Sequence, residues 1–174
     1  VSRMLYAVTI LLSAFLLFQV QPIIAKMILP WFGGSAAVWT TCMLFFQVTL
    51  FAGYAYAHLA AARFPGWVQT LLHLLFLGAG LALLPIIPDA LWKPTGDEQP
   101  TWRIVSLLTV SVGLPFFILS MTGPLLQHWF SRTHHGRSPY RLYALSNAGS
   151  LLALVSYPFL FEPAFSTTHQ AEIW

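Results

Sequence analysis

The chain has 174 residues, of which 57% are hydrophobic and 7% charged, with a mean hydropathy of +0.72. A soluble domain carries about a quarter charged residues, so the deficit excludes one and defines an integral membrane protein. The formal charge of +3 is too small and too dispersed for a nucleic-acid partner. The single cysteine, Cys42, excludes an intrachain disulfide and reads as a small packing residue.

At about 20 residues per span, the apolar runs predict an all-α polytopic bundle of about five helices forming one domain over 1–174. Helix one is expected over Met4–Lys26, too long for the apolar core of a cleavable signal. It accepts Gln19, Gln21, Pro22 and Lys26 before the Pro30-Trp31 and Gly33-Gly34 stretch, read as a turn. Gln19 and Lys26 are seven apart and share a face about 10 Å apart along the axis. Pro22 cannot donate to the Phe18 carbonyl, which predicts a local kink. Lys26 can instead snorkel to the headgroups, with the glutamines bonding a neighbouring helix.

Helix two is expected over Ala37–Ala62, with Ser35 as its N-cap. Thr40, Gln47, Tyr54 and His58 fall on one narrow stripe at 100° per residue. With Gln19 and Lys26 this stripe is read as either the lining of a water-accessible cavity or the glue between helices. Helix three is expected over Trp67–Ile87, ended by Pro85 and Pro88. The longest polar loop, Asp89–Thr101, carries Asp97 and Glu98. Helix four is expected over Trp102–Phe130, bent at Pro115 and Pro124.

The basic loop Ser131–Ser138 leads into helix five, expected over Pro139–Phe161. Its histidines, His134 and His135, are expected to meet lipid phosphate or a partner domain. On helix five, Ser146, Ser150 and Ala153 share a face with Gly149 beside them, a pattern for close helix approach. Asn147 stands out as a mid-helix amide that needs partners. Ser166-Thr167-Thr168 can cap a sixth helix, and the chain is expected to continue beyond Trp174.

With the N-terminus cytoplasmic, Arg3, Arg63, Arg132, Arg137 and Arg141 fall inside and Lys26, Lys93 and Arg103 outside, in the sense of the positive-inside rule. Trp31, Trp39, Trp67, Trp92, Trp102 and Trp129 fall near predicted helix ends, as an interfacial belt requires. His58 and His73 could face one another across a hairpin and ligate a haem, although no spacing motif supports it. No metal and no cofactor is expected. The sequence has no Walker loop, HExxH, serine elbow or GxGxxG. Gly78-Ala79-Gly80 is a packing feature of an apolar helix. No catalytic constellation is present.

The stretches LLSAFLLFQVQPIIAKMILPWFGGSAAVW (Leu11–Trp39) and PYRLYALSNAGSLLALVSYPFLFEP (Pro139–Pro163) resemble the N-terminal membrane region of bacterial spermidine-synthase-like multi-pass proteins. The intervening helices fit that layout. The resemblance implies a bacterial inner-membrane domain that precedes a soluble aminopropyltransferase-like, methyltransferase-related domain, with any polyamine link resting on that domain. It implies no catalytic residue in this chain. The reading is a non-catalytic membrane domain that anchors a partner domain and can hold or pass a small, even cationic, substrate. Candidate cavity residues are Gln19, Gln21, Lys26, Gln47, Tyr54, His58 and Asn147. Lys26 argues against a bare cation site, because like charges repel unless an acid offsets it. Rival readings are a small permease-like transporter and an accessory subunit of a larger, haem-bearing membrane complex. The partners implied are the lipid bilayer, neighbouring helices or a fused domain, and a second copy of the chain.

Overall fold

The computed structural model describes residues 3–96, 100–134 and 140–174. Asp97, Glu98, His135, Arg137 and Pro139 lie outside them. The described residues form an all-α bundle. Helix α1 runs Arg3–Phe32, α2 Ala36–Arg63, α3 Gly66–Ala82, α4 Pro100–Thr133, α5 Tyr140–Ala164 and α6 Thr167–Ile173.

Among the described residues α1, α2, α4 and α5 are long and apolar enough to cross a membrane. Helix α3, with 17 residues, is shorter than its expected span to Ile87. Seventeen residues rise about 25 Å, and an irregular apolar segment from Leu83 to Ile87 follows, with Ile86 fully buried. Pro85 removes a backbone donor at the point where the helix stops.

Helix α1 does not stop at Lys26. It continues through Pro22 and Pro30 to Phe32, so Pro30-Trp31 is its last turn and the reversal falls on Gly33, at φ 81°. Ser35 caps α2 by accepting from the Val38 amide at 3.5 Å. Ser166 caps the sixth helix through the His169 amide at 3.3 Å.

Helix α4 is the centre of the bundle and packs on α2, α3 and α1, while α5 packs chiefly on α1. It and α5 each contain one π-helical turn, Thr109–Gly113 and Tyr157–Phe161. Pro115 follows the first and Pro158 lies within the second. A proline leaves the carbonyl four residues earlier without its donor, and a π turn absorbs that mismatch.

Glycine allows the two closest approaches. Gly53 of α2 lies against α4, where a Cβ would meet Ser120 Cβ at 2.4 Å. Gly149 of α5 lies against α1, where a Cβ would meet the Leu11 carbonyl oxygen at 2.5 Å. The buried face of α2, namely Val38, Cys42, Phe46, Gly53, Ala57 and Ala60, is a seam with steps of three, four or seven residues, and Cys42 is a packing residue in it. Phe46 meets Phe116 of α4 with ring centroids 4.9 Å apart.

Gln69 ties three elements together. Its Nε2 donates to the Phe64 carbonyl at 2.8 Å, and its Oε1 accepts from Trp129 Nε1 at 2.7 Å. Gln69→Leu leaves a half-buried indole N–H and a carbonyl unpaired. It is expected to destabilise the protein by about 2 kcal/mol, read as a lower unfolding midpoint in detergent.

At the other end, Arg103 donates through Nε to the Trp92 carbonyl and through its Nη2 nitrogen to those of Leu91 and Lys93. This closes the turn at Ala90–Trp92. Lys93 also lies 5.3 Å over the Trp31 ring, which fastens the loop to the end of α1.

Candidate functional site

A groove runs along α1 between α2 and α5. Its larger chamber, about 560 Å³, lies in the half of the bundle nearer Arg3. The floor is Ile10, Ser13, Ala14, Leu17 and Phe18 of α1 with Leu119, Ser120, Gly123, Pro124 and Gln127 of α4. Tyr54 of α2 forms one wall, and Tyr143, Ser146, Asn147 and Ser150 of α5 form the other. A recess of about 230 Å³ continues the line toward the other end, between Gln21, Pro22 and Ala25, the α2 residues Trp39, Cys42, Met43 and Phe46, and Leu154 and Tyr157.

Local sequence explains this lining. Gly149 and Ala153 turn toward α1, so residues one to three positions from Gly149, namely Ser146, Asn147 and Ser150, flank the contact and face the chamber. Gly123-Pro124 removes side-chain bulk and a donor from α4 beside it, which leaves room at the floor.

The chamber holds eight uncharged hydrogen-bonding side chains and no charged one. Ser13, Ser120 and Ser150 donate to the carbonyls of Thr9, Phe116 and Ser146 on their own helices. Their oxygens therefore remain acceptors toward the chamber. Tyr54, Gln127, Tyr143, Ser146 and Asn147 make no side-chain hydrogen bond among the described residues. Gln127 is a largely buried residue that lines the chamber floor, and its amide, without a protein partner, opens into that space. Unpaired polar groups at membrane depth are costly unless they face water or a guest that bonds them. The site is neutral, concave and mixed in polarity, as small-molecule sites usually are.

The candidate residues divide. Tyr54 and Asn147 line the chamber, and Gln21 lines the recess. Gln19 and Lys26 do share a face, but it is the side of α1 away from the groove, turned toward the end of α5. The cavity expected from those two with the α2 stripe does not form. Lys26 pairs with Glu162 and lies 5.9 Å from the centre of the Tyr157 ring, so it is neither a snorkelling lysine without an acid nor a chamber cation. The pair is more than a third exposed. Lys26→Met is expected to shift unfolding by less than about 1 kcal/mol, measured by denaturant titration.

Thr40, Gln47 and His58 share the exposed face of α2 with Tyr54. His73 is buried and turned the other way. Its Nε2 lies 3.4 Å from Thr122 Oγ1, and its ring meets Trp129 edge-on at 6.0 Å. The two histidines considered for haem thus sit in different surroundings. Among the described residues no three His, Cys, Asp or Glu gather at a metal-sized site. His134 stacks on Phe130 with ring centroids 4.4 Å apart, and its Nδ1 lies 2.9 Å from Thr133 Oγ1.

Sequence reading missed Ser13, Ser120, Gln127 and Tyr143. Gln127 had a signal, an amide three residues after Pro124 in an apolar helix. The serines had none, since a serine in a membrane helix usually bonds its own backbone. Comparison with family models, with curated proteins and with solved structures finds no match.

Proposed function

We propose that this chain is a non-catalytic membrane domain that holds a small uncharged amphiphile in the α2–α5 groove. It does so as the membrane anchor of a partner domain in a bacterial inner membrane, with its N-terminus cytoplasmic. The observation that carries the reading is the chamber, with unpaired amides and phenols set among apolar side chains and no charged group. The anchoring role rests on the resemblance of the α1 and α5 sequences, and the orientation on the arginines at the N-terminal end.

A polyamine is the weaker substrate. Its amines would enter a site without a carboxylate, and an uncompensated charge there is strongly disfavoured. The Lys26–Glu162 pair lies outside the chamber. A second reading, a subunit within a larger membrane assembly or homo-oligomer, draws on the exposed polar stripe of α2. Lipid-facing polar residues are rare unless a partner covers them.

The groove is tested with Asn147→Cys in a Cys42→Ala background, in intact membranes. N-ethylmaleimide is expected to label Asn147→Cys at least about 10-fold faster than Leu151→Cys on the exposed face of α5. Equal rates would mean a dry packing seam, and the ligand reading would fall.

A further inference from the structure

The far side of α1 carries a second polar cluster that the groove does not use. Gln19 is 3% exposed and Gln170, on α6, 2%. Gln19 Nε2, Gln19 Oε1 and Gln170 Oε1 are buried without a hydrogen-bond partner. Gln170 Nε2 is already engaged, donating to the carbonyls of Phe161 at 3.2 Å and Phe165 at 2.7 Å.

The backbone brings these amides together. Helix α6 packs on α1: Glu162, which precedes it, pairs with Lys26, and Trp174 Nε1 at its other end donates to the Leu16 carbonyl at 2.8 Å, so the segment runs back along α1. Gln170 lies one turn before Trp174 and Gln19 just under one turn after Leu16. In antiparallel helices both steps go the same way, about 6 and 4.5 Å, so the amides share one depth. Around α1, Gln19 falls between Phe15 and Leu16, about 40° from one and 60° from the other. Phe15 meets the Phe161 ring at 6.0 Å, and Leu16 holds Trp174. Gln19 is therefore bracketed by the segment that carries Gln170.

One donor group and two acceptors remain, and they do not bond each other. A cation would suit both oxygens but be repelled by the Nε2 hydrogens. An anion would have the opposite conflict. Water matches the set by donating to the two oxygens and accepting from Nε2, the roughly three bonds that a buried water makes. Exchanging O and N at Gln19 leaves the same donors and acceptors, so the argument does not depend on how that amide is turned. We propose that a buried water is bound between Gln19 and Gln170 and pins α6 to α1 at membrane depth.

The test uses the full chain in nanodiscs with ¹⁵N-labelled glutamine, the Gln19 signal being assigned by its loss in Gln19→Leu. The Gln19 side-chain amide is expected to show cross-relaxation with a long-lived water, and to lose it in Gln170→Leu. Should Gln170→Leu not fold, Gln170→Met serves the same purpose. No water cross-relaxation at Gln19 in the native chain overturns the proposal. So does a signal that persists in a folded Gln170 variant.

Discussion

Gly149→Leu is expected to destabilise the bundle by about 3 kcal/mol or more, the upper range for overpacking. The first added carbon would lie 2.5 Å from the Leu11 carbonyl oxygen, and a helix backbone cannot yield as a side chain can. Relief requires α1 and α5 to part, which also opens one wall of the groove. Gly53→Leu meets the same obstacle on α4, where Ser120 Cβ and the Met121 amide nitrogen stand in the way. Gly78→Ala is the control, since nothing lies within 4 Å of its added carbon. It is expected to be neutral or to stabilise by up to about 1 kcal/mol through helix propensity. Thermal unfolding in detergent measures all three. A Gly149→Leu protein within about 0.5 kcal/mol of the native one would contradict the packing described.

The second large effect concerns the ligand. Gln127→Leu and Asn147→Leu each remove an amide that is unpaired without a guest, so the folded protein loses little by the change. A bound guest loses a hydrogen bond of about 1–3 kcal/mol, roughly 5- to 150-fold in Kd. With a radiolabelled monoacylglycerol as probe, each variant is expected to bind about 10-fold or more weakly at an unchanged unfolding temperature. Weaker binding together with a large fall in stability would make these residues structural instead. Lys26→Met, on the other side of α1, is expected to leave binding unchanged.

Much of the fold was legible because membrane spans announce themselves by length and hydropathy. The five apolar runs, the Ser35 and Ser166 caps and the Gly149 contact all follow from local rules. Helix ends were less legible. The sequence reads Pro30-Trp31 as part of a turn, whereas α1 continues through them to Phe32 and Gly33 supplies the reversal. Gly53 was overlooked although Gly53, Ala57 and Ala60 form a small-residue stripe of the kind noticed on α5.

The site was harder to see for a physical reason. Helical periodicity tells which residues share a face but not which neighbour that face meets. Gln19 with Lys26, and Gln47 with Tyr54, were correctly placed together on their own helices. Nothing local showed that α1 turns its polar pair toward α5 and α6 while α2 brings only Tyr54 of its stripe to the chamber. The groove arises from the pairing of α1 with α5 and α2 with α4, which is long-range information.

The most direct measurement is native mass spectrometry of the chain released from nanodiscs in an equimolar mixture of monoacylglycerol, phosphatidylglycerol and spermidine. The account predicts that the uncharged amphiphile is retained preferentially and is lost from the Gln127→Leu/Asn147→Leu double variant. Preferential retention of spermidine, or equal retention of all three, would contradict a neutral binding groove.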